Sequence, residues 1–314
     1  MLKSRLFAPV LGLLVCALSV LPAQAADVDK YLPNDSEAVI TLNVKQLLEA
    51  PLIKNNLEQL KGLAQGIGGA QGMLEELGFD PFKDVDSLTV AMGKNPNQAT
   101  LLVSGKFDTA KIAAQAEKTA KNKPDTLKIT KSGTYTLYEA KAPERNETVY
   151  TAIVDNGLLT VSPSKTAVLD VLDKKAGLKR TELKKDLQAA LTAGNRQQSI
   201  SVVSLSGPLA ASGQPFVEKI KTLSGGITVT DEVKAEVVLN AKDAKDAKDI
   251  QTELNDNLDM VKALVDNAAQ VNQGLKPLVD AVNTLQLSTQ GSNVMLKGLI
   301  SKDVIQSLNK LIPQ

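Results

Sequence analysis

Short segments in which apolar and polar residues alternate recur along both halves of this 314-residue chain. The first half contains AVITLNV at residues 38–44 and LTV at residues 88–90, and the second half contains SISVVSL at residues 199–205 and ITV at residues 227–229. Alternation of this kind is typical of β-strands that turn one face toward a core. The chain is therefore expected to build a sheet from strands in both halves.

The order of the segments indicates an internal duplication. Each half runs strand, helix, hairpin, helix, hairpin, helix, and the clearest match sets QATLLVSGKFDTAKI, from Gln98, against KAEVVLNAKDAKDA, from Lys234. The pattern predicts an α+β protein with an antiparallel sheet and helices on one face. Residues 26–195 and 196–314 are the two predicted repeats. Few identities link them, so convergent patterning stays open as the alternative.

Helical periodicity predicts helices at residues 46–63 and 215–223, and a long amphipathic helix inserted in the second repeat at residues 250–271. Gly274 and Pro277 break or kink that long helix. The run KDAKDAKD, residues 242–249, is expected to form its solvated start, where negative charge suits the helix dipole. Two interpretations of the long helix stay open: it packs on its own sheet, or it serves as a lid or partner helix.

The first 25 residues have the composition of a cleavable export signal. Lys3 and Arg5 give a positive start, residues 11–21 form an apolar run, and residues 23–25 are a small-x-small cleavage site. An apolar run of this length is too short to span a bilayer, which needs about 20 residues. We expect cleavage before Ala26, a periplasmic or secreted protein, and no transmembrane anchor in the mature chain.

Removal of the signal leaves 34 Lys and Arg against 35 Asp and Glu, a net charge of −1. A nearly neutral chain argues against dedicated binding to nucleic acid, which needs a concentrated basic surface. The residue types also restrict the chemistry that the mature chain could perform. The chain has no histidine, and its single cysteine, Cys16, lies in the predicted signal. Histidine bases, thiol nucleophiles and His- or Cys-ligated metals are excluded. No cofactor is expected.

One catalytic alternative survives, in Ser162-Pro163-Ser164-Lys165. This matches the Ser-x-x-Lys pattern in which a lysine one helical turn away activates a serine, as in penicillin-binding proteins and β-lactamases. Those enzymes also need Ser-x-Asn and then Lys-Thr-Gly downstream, and the nearest Lys-Ser-Gly lies upstream, at residues 131–133. The competing interpretation makes Ser162 a helix N-cap and Lys165 a solvated side chain.

Acidic residues give one metal alternative. Asp80, Asp84 and Asp86 form a dense acidic group that follows Glu75 and Glu76, but they lack the spacing and the glycine of an EF-hand loop. The segment is also expected to form a turn at Asp80-Pro81 that leads into a strand. Five glycines within residues 62–72 predict a flexible connection. A phosphate-binding loop would need a preceding strand and a closing Lys-Ser/Thr pair, and this segment has neither.

Two segments carry a resemblance to a known group. LPNDSEAVITLNVKQLLEAPLIKN, from Leu32, and LGFDPFKDVDSLTVAMG, from Leu77, resemble exported bacterial proteins of unknown function. Mature chains of that group open with Leu-Pro, a short turn and a strand, and later carry a Gly-x-Asp-Pro-Phe type of turn. The resemblance covers about the first third of the chain. It implies export and local structure, and it transfers no activity and no site residue.

These observations together predict an exported, non-catalytic protein. It would bind a ligand or an envelope protein, or serve structurally, in the periplasm or cell envelope. One specific form is a carrier in which the sheet and the long helix enclose an apolar ligand. The alternative is a hydrolase that uses carboxylates or the pair Ser162 and Lys165.

Overall fold

A computed structural model describes residues 28–55, 80–95, 98–141, 148–210 and 214–309. The predicted signal, the glycine-rich segment and the Glu75-Glu76 pair lie outside these residues. In the described ranges, twelve strands form one antiparallel sheet in the order β11-β12-β10-β9-β8-β1-β2-β3-β7-β6-β5-β4. The strands are β1 Ala38–Leu42, β2 Val85–Met92, β3 Thr100–Gly105, β4 Leu127–Ser132, β5 Tyr135–Lys141, β6 Thr148–Asp155, β7 Leu158–Ser162, β8 Ile200–Leu205, β9 Ile220–Val229, β10 Val233–Ala241, β11 Gln286–Gln290 and β12 Asn293–Ile300.

Ten α-helices are described in the same ranges, three of them short. They are α1 Val44–Glu49, α2 Pro51–Lys54, α3 Pro81–Asp84, α4 Thr109–Asn122, α5 Lys165–Lys175, α6 Lys185–Ala193, α7 Ser206–Leu209, α8 Ala244–Val271, α9 Lys276–Asn283 and α10 Lys302–Asn309. The prediction of helices combined with an antiparallel sheet is confirmed. None of the described helices is long and apolar enough to cross a bilayer.

The first strand of each half lies at the centre of the sheet. β1 pairs with β8, and Ile40 stands opposite Val202 on one side and Val90 of β2 on the other. The strands of the first half then continue outward to β4, and those of the second half to β11. One continuous sheet therefore joins the two halves.

Helices cover both faces of the sheet, so the prediction of helices on one face is wrong. Leu102 and Val103 are neighbours in β3 and therefore point to opposite faces. Leu102 packs in a buried cluster with Leu187 of α6, which defines the first face. Val103 packs in a different cluster with Ile112 of α4, which defines the second face. Because β3 carries apolar residues at successive positions, both of its faces need cover.

The long helix α8 lies on the second face, over the outer strands of the second half. Ile250 is fully buried in a cluster with Leu239 of β10 and the half-buried Leu223 of β9. Leu223 pairs with Ser204, whose neighbour Val203 belongs to the first-face cluster. Leu223 and α8 are therefore on the same face as α4.

Three local predictions need correction. The helix expected at residues 215–223 is a 3-10 helix, Pro215–Lys219, and β9 begins at Ile220. The helix expected at residues 46–63 is interrupted before Pro51, where Ala50 is extended, and its part beyond residue 55 is not described. In the first half, four consecutive strands, β4 to β7, stand where one hairpin was predicted.

Two glycines allow β8, β9 and β10 to approach one another. A Cβ atom on Gly226 would lie 1.9 Å from the carbonyl oxygen of Ile200, and one on Gly225 would lie 2.2 Å from that of Glu236. Gly225 also has a φ of 153°, which L-residues rarely adopt. Glycine at both positions is therefore a requirement of the strand spacing.

Candidate functional site

The structure does not bring Ser162 and Lys165 together as a catalytic pair. Ser162 is 1% exposed at the end of β7, where its hydroxyl donates to the carbonyl of Ala99 at 3.0 Å and accepts from the amide of Ser164 at 3.1 Å. Lys165 is partly exposed, with its Nζ 4.0 Å from Glu139. The serine hydroxyl is thus committed to the backbone rather than to the lysine.

The N-cap of α5 is Ser164, and the prediction that Ser162 caps this helix is wrong. The Ser164 hydroxyl accepts from the amide of Ala167 at 3.3 Å. Lys165 is the first helical residue, so Pro163 lies before the cap rather than inside it. Either serine could cap a helix by sequence. Because β7 extends to Ser162, the helix begins only at Lys165 and Ser164 is its cap.

The acidic group at Asp80 serves the backbone in this structure. The Asp80 carboxylate accepts from the amide of Phe82 at 3.0 Å, and Asp84 accepts from the amide of Asp80 at 2.8 Å. The Lys83 ammonium, 2.8 Å from Asp80, holds the pKa of that carboxyl below its usual range. Asp86 lies in β2. In the described part of the chain, no three carboxylates are grouped to hold a metal.

The most distinctive geometry is one row of residues across the centre of the sheet, with hydroxyl side chains on the first face and larger apolar side chains beside it on the second. On the first face, Thr89, Thr41 and Ser201 stand side by side across β2, β1 and β8, and each is at most 3% exposed. The Thr41 and Thr89 hydroxyl oxygens lie 3.4 Å apart. These central strands therefore bury hydroxyls on the first face, next to apolar residues such as Val39 and Val203.

The second face of the same strands carries larger apolar side chains that remain partly accessible. We call this set the central apolar strip; it consists of Ile40, Leu42, Val90, Ile200, Val202 and Ile227. Five of its members are half-buried and Ile227 is 36% exposed. Soluble proteins bury β-branched and leucine side chains more often than this. Accessible apolar residues backed by buried hydroxyls are therefore unusual.

The strip is flanked by the packed helices of both halves. On one side, Val90 pairs with Leu101, which packs with Ile112 of α4. On the other side, Val202 pairs with Gly225, and Gly225 pairs with Val237. Val237 packs against the cluster that contains Ile250 of α8. The strip is thus a shallow apolar surface between α4 and α8.

A second accessible apolar surface lies on α8. Met260, Leu264 and Val271 are 58%, 62% and 91% exposed, and Val261 is 44% exposed. At about 100° per residue, the first three lie within about 40° of one another and continue the side of the helix that carries Ile250, beyond the part of that side that is buried. We call these four residues the α8 stripe. The sequence pattern included Leu264 and Val271 in one amphipathic face, because periodicity alone does not show where a long helix leaves its sheet.

The fold and these surfaces define an α+β protein with one continuous antiparallel sheet and accessible apolar patches. No protein family matches the chain, and no curated protein sequence does. Among solved structures, it is similar to TP0453 in crystal form I, with 11% identity and a TM-score of 0.50 over 94% of this chain and 98% of that one. Crystal form III of TP0453 gives 12% identity and a TM-score of 0.52 over 90% and 97% of the two chains. The likeness concerns the fold.

Proposed function

We propose that this is an exported, non-catalytic protein of the periplasm or cell envelope that binds an apolar ligand on the central apolar strip. The observation that carries the proposal is the set of incompletely buried apolar side chains that β1, β2, β8 and β9 place together on the second face. Exposing an apolar side chain costs about 25 cal/mol per Å² of its surface. A ligand that covers Ile40, Val202 and Ile227 would recover that free energy. Small-molecule sites are lined mainly by apolar side chains, as this strip is.

The order of the strands supports this assignment. The strand order is mirrored about the β1–β8 pair: β2 and β9 flank it, then β3 and β10, then β7 and β12. In each half a helix connects the inner hairpin to the outer strands on the second face, α4 in the first half and α8 in the second. We propose that two related repeats meet at β1 and β8, and that the strip lies on the axis between them.

Extraction of the protein purified from its native host, followed by mass spectrometry, tests the proposal. We expect a bound lipid-like species and a mature N-terminus at Ala26. The variant Ile227→Gln should lower the amount of extracted ligand, because it places an amide in the strip. Leu178→Gln is the matched control, since Leu178 is 74% exposed outside the strip. Protein that carries no apolar species and binds no fluorescent fatty-acid probe would refute the proposal.

A second candidate function rests on the α8 stripe: docking of an envelope protein. Exposed apolar side chains at helical spacing are the means by which helices dock into grooves. A photo-crosslinking residue at Leu264 should capture one specific partner in intact cells, and Met260→Asp should abolish that product. A crosslinker at Asp266, on the polar side of the same helix, is the control. Equal products from both positions would exclude docking through the stripe.

A further inference from the structure

The sheet has two edge strands, β4 and β11, and they differ in composition. β4 carries Lys128 and Lys131, and lysines on an edge strand oppose pairing with another chain. β11, Gln286–Gln290, has the sequence QLSTQ, with neither a charge nor a proline. Within the described ranges, no strand pairs with its outer side. We call the outer side of β11 the open edge.

The backbone groups on the open edge belong to two residues. The hairpin of β11 and β12 has a two-residue turn, and the pair that closes it, Gln290 and Asn293, exchanges backbone hydrogen bonds. Bonded residues alternate along an antiparallel pair, so every second residue back from Gln290 also bonds to β12. The N–H and C=O groups of Leu287 and Thr289 therefore point away from β12, to the open edge.

The open edge is held in place by the rest of the fold. On the second face, the Leu287 side chain packs against the cluster that contains Ile250 of α8. Before β11, the Thr284 hydroxyl bonds to the amide of Leu299 at 2.9 Å and to its carbonyl at 2.7 Å, in place of a further pair of strand residues. After β11, Gly291 turns the chain with a φ of 60°. The open edge is therefore a preformed segment of five residues.

The open edge is complementary to a second copy of itself. In an antiparallel pair with a two-fold axis at Ser288, Leu287 of each copy stands opposite Thr289 of the other. These are the residues whose backbone groups point outward, so the pair forms four hydrogen bonds. Gln286 then stands opposite Gln290, and no facing side chain is charged. A register centred on Leu287 or Thr289 leaves part of the strand without a partner.

We infer that two copies of this chain associate through their open edges and join their twelve-stranded sheets into one continuous sheet. Extension of a sheet at its edge is a general mode of recognition, in which main-chain hydrogen bonds supply the affinity. Two facing five-residue strands form a small interface, below the roughly 1,200 Å² at which standard stable interfaces begin. The dimer is therefore reversible and depends on concentration. The central apolar strip lies on other strands, so dimerisation does not require the ligand proposed above.

Disulfide trapping tests the position of the two-fold axis. The chain has a single cysteine, Cys16, so Ser288→Cys in a Cys16→Ser background carries one thiol. Ser288 bonds to β12, so across the axis it forms a non-hydrogen-bonded pair, whose Cα atoms lie about 4.5 Å apart. That distance suits a disulfide, and we expect mild oxidation to give a covalent dimer. Lys128→Cys, at an exposed position on β4, is the matched control and should stay monomeric.

Sedimentation equilibrium measures the reversible dimer of the natural chain. Ser288→Lys places two ammonium groups opposite each other and should weaken dimerisation about tenfold or more, because like charges repel across an interface. Ser288→Thr adds no charge and should dimerise as the natural chain does. Ser288 is exposed, so both variants should keep the thermal stability of the natural monomer.

A natural chain that stays monomeric at every concentration overturns the inference, even if position 288 crosslinks to another protein in a cell extract. Equal crosslinking at positions 128 and 288 also overturns it, as does a dimer that Ser288→Lys leaves unchanged. A covalent dimer at position 288 alone, together with dissociation caused by lysine but not by threonine, supports it.

Discussion

At the scale of single residues, Arg196 connects the two halves of the chain. Its guanidinium pairs with both carboxylate oxygens of Asp29 and donates to the Thr41 hydroxyl at 2.9 Å. The Arg196 side chain is 10% exposed. Burial raises the pKa of Asp29 above its ordinary value, although the charge and hydrogen bonds of Arg196 act in the opposite direction. The Asp29 carboxylate is thus paired but poorly solvated.

The raised pKa of Asp29 predicts a pH dependence of stability. A folded state that holds this proton more tightly gains stability below the ordinary carboxyl pKa and loses it as the pH rises through the folded-state pKa. The free energy of unfolding of the natural chain, relative to Asp29→Asn, should therefore fall as the pH rises above about 4, the ordinary pKa of an aspartate side chain. Urea denaturation of both chains at several pH values measures this difference. A difference that rises with pH would contradict the assignment.

The side chains of Ser162 and Asp80 show why the role of a single residue was difficult to predict. The Ser-x-x-Lys spacing was consistent with either catalysis or capping, because both need a serine near the start of a helix. The structure places the cap two residues later and leaves Ser162 buried. Asp80 likewise caps α3, so its acidic neighbours acquire a local structural role. Tertiary position, which a single sequence does not specify, decided the case of Ser162, whereas the contacts of Asp80 are local and agree with the predicted turn.

At the scale of elements, the start of α8 was predictable. The run KDAKDAKD was expected to begin a solvated helix, and Asp243 is indeed its N-cap, accepting from the amide of Asp246 at 2.8 Å. Asp249, three residues after Asp246, pairs with Lys219 at 2.8 Å. The hydrogen bond of an N-cap is local, so a run of acidic residues before a strongly periodic segment indicates where such a helix begins.

Loss of that cap should destabilise the protein measurably. Asp243→Ala removes the acceptor for an otherwise unsatisfied amide, and we expect a cost of about 1 kcal/mol in the free energy of unfolding. Asp243→Ser is the control, because serine can accept the same hydrogen bond and should recover most of the stability. Chemical denaturation measures both variants. Equal losses in alanine and serine variants would show that the hydrogen bond is not the cause.

The strands β4 and β5 were missed although their sequence contains a usable signal. LKITKS and YTLYEAK flank the two-residue connection Gly133-Thr134, and Gly133 adopts a φ of 62°. A glycine between two alternating segments predicts a hairpin. The predicted repeat contained only one hairpin in this part of each half, so it left no place for β4 and β5. The position of helices on two faces was not predictable, since a face is defined only when strands are paired.

At the scale of the whole molecule, the first-face core contains residues from both halves. Val39, Leu102 and Leu187 come from the first half, and Val203 from the second. These side chains are at most 3% exposed. The halves share this core as well as the sheet, so they should unfold together.

Truncation of Val203 tests that cooperativity. Val203→Ala should cost about 2 kcal/mol through the cavity it leaves, and hydrogen exchange should accelerate in β3 and β10 alike. Val261→Ala, at a position 44% exposed on α8, is the control and should change stability by less than about 0.5 kcal/mol. Faster exchange confined to one half would mean that the halves unfold separately.

The pairing of β1 with β8 also has a consequence for the order of folding. β1 is the first described strand to be synthesised, and it lies at the middle of the sheet. Ile40 can pair with Val202 only after the other half of the chain has been synthesised. Closing so long a loop is entropically costly, and proteins dominated by distant contacts fold slowly. A nascent chain without residues 200–205 keeps β1 open on one edge. Such a chain stays unfolded for longer than one whose first strand pairs only with its neighbours in sequence.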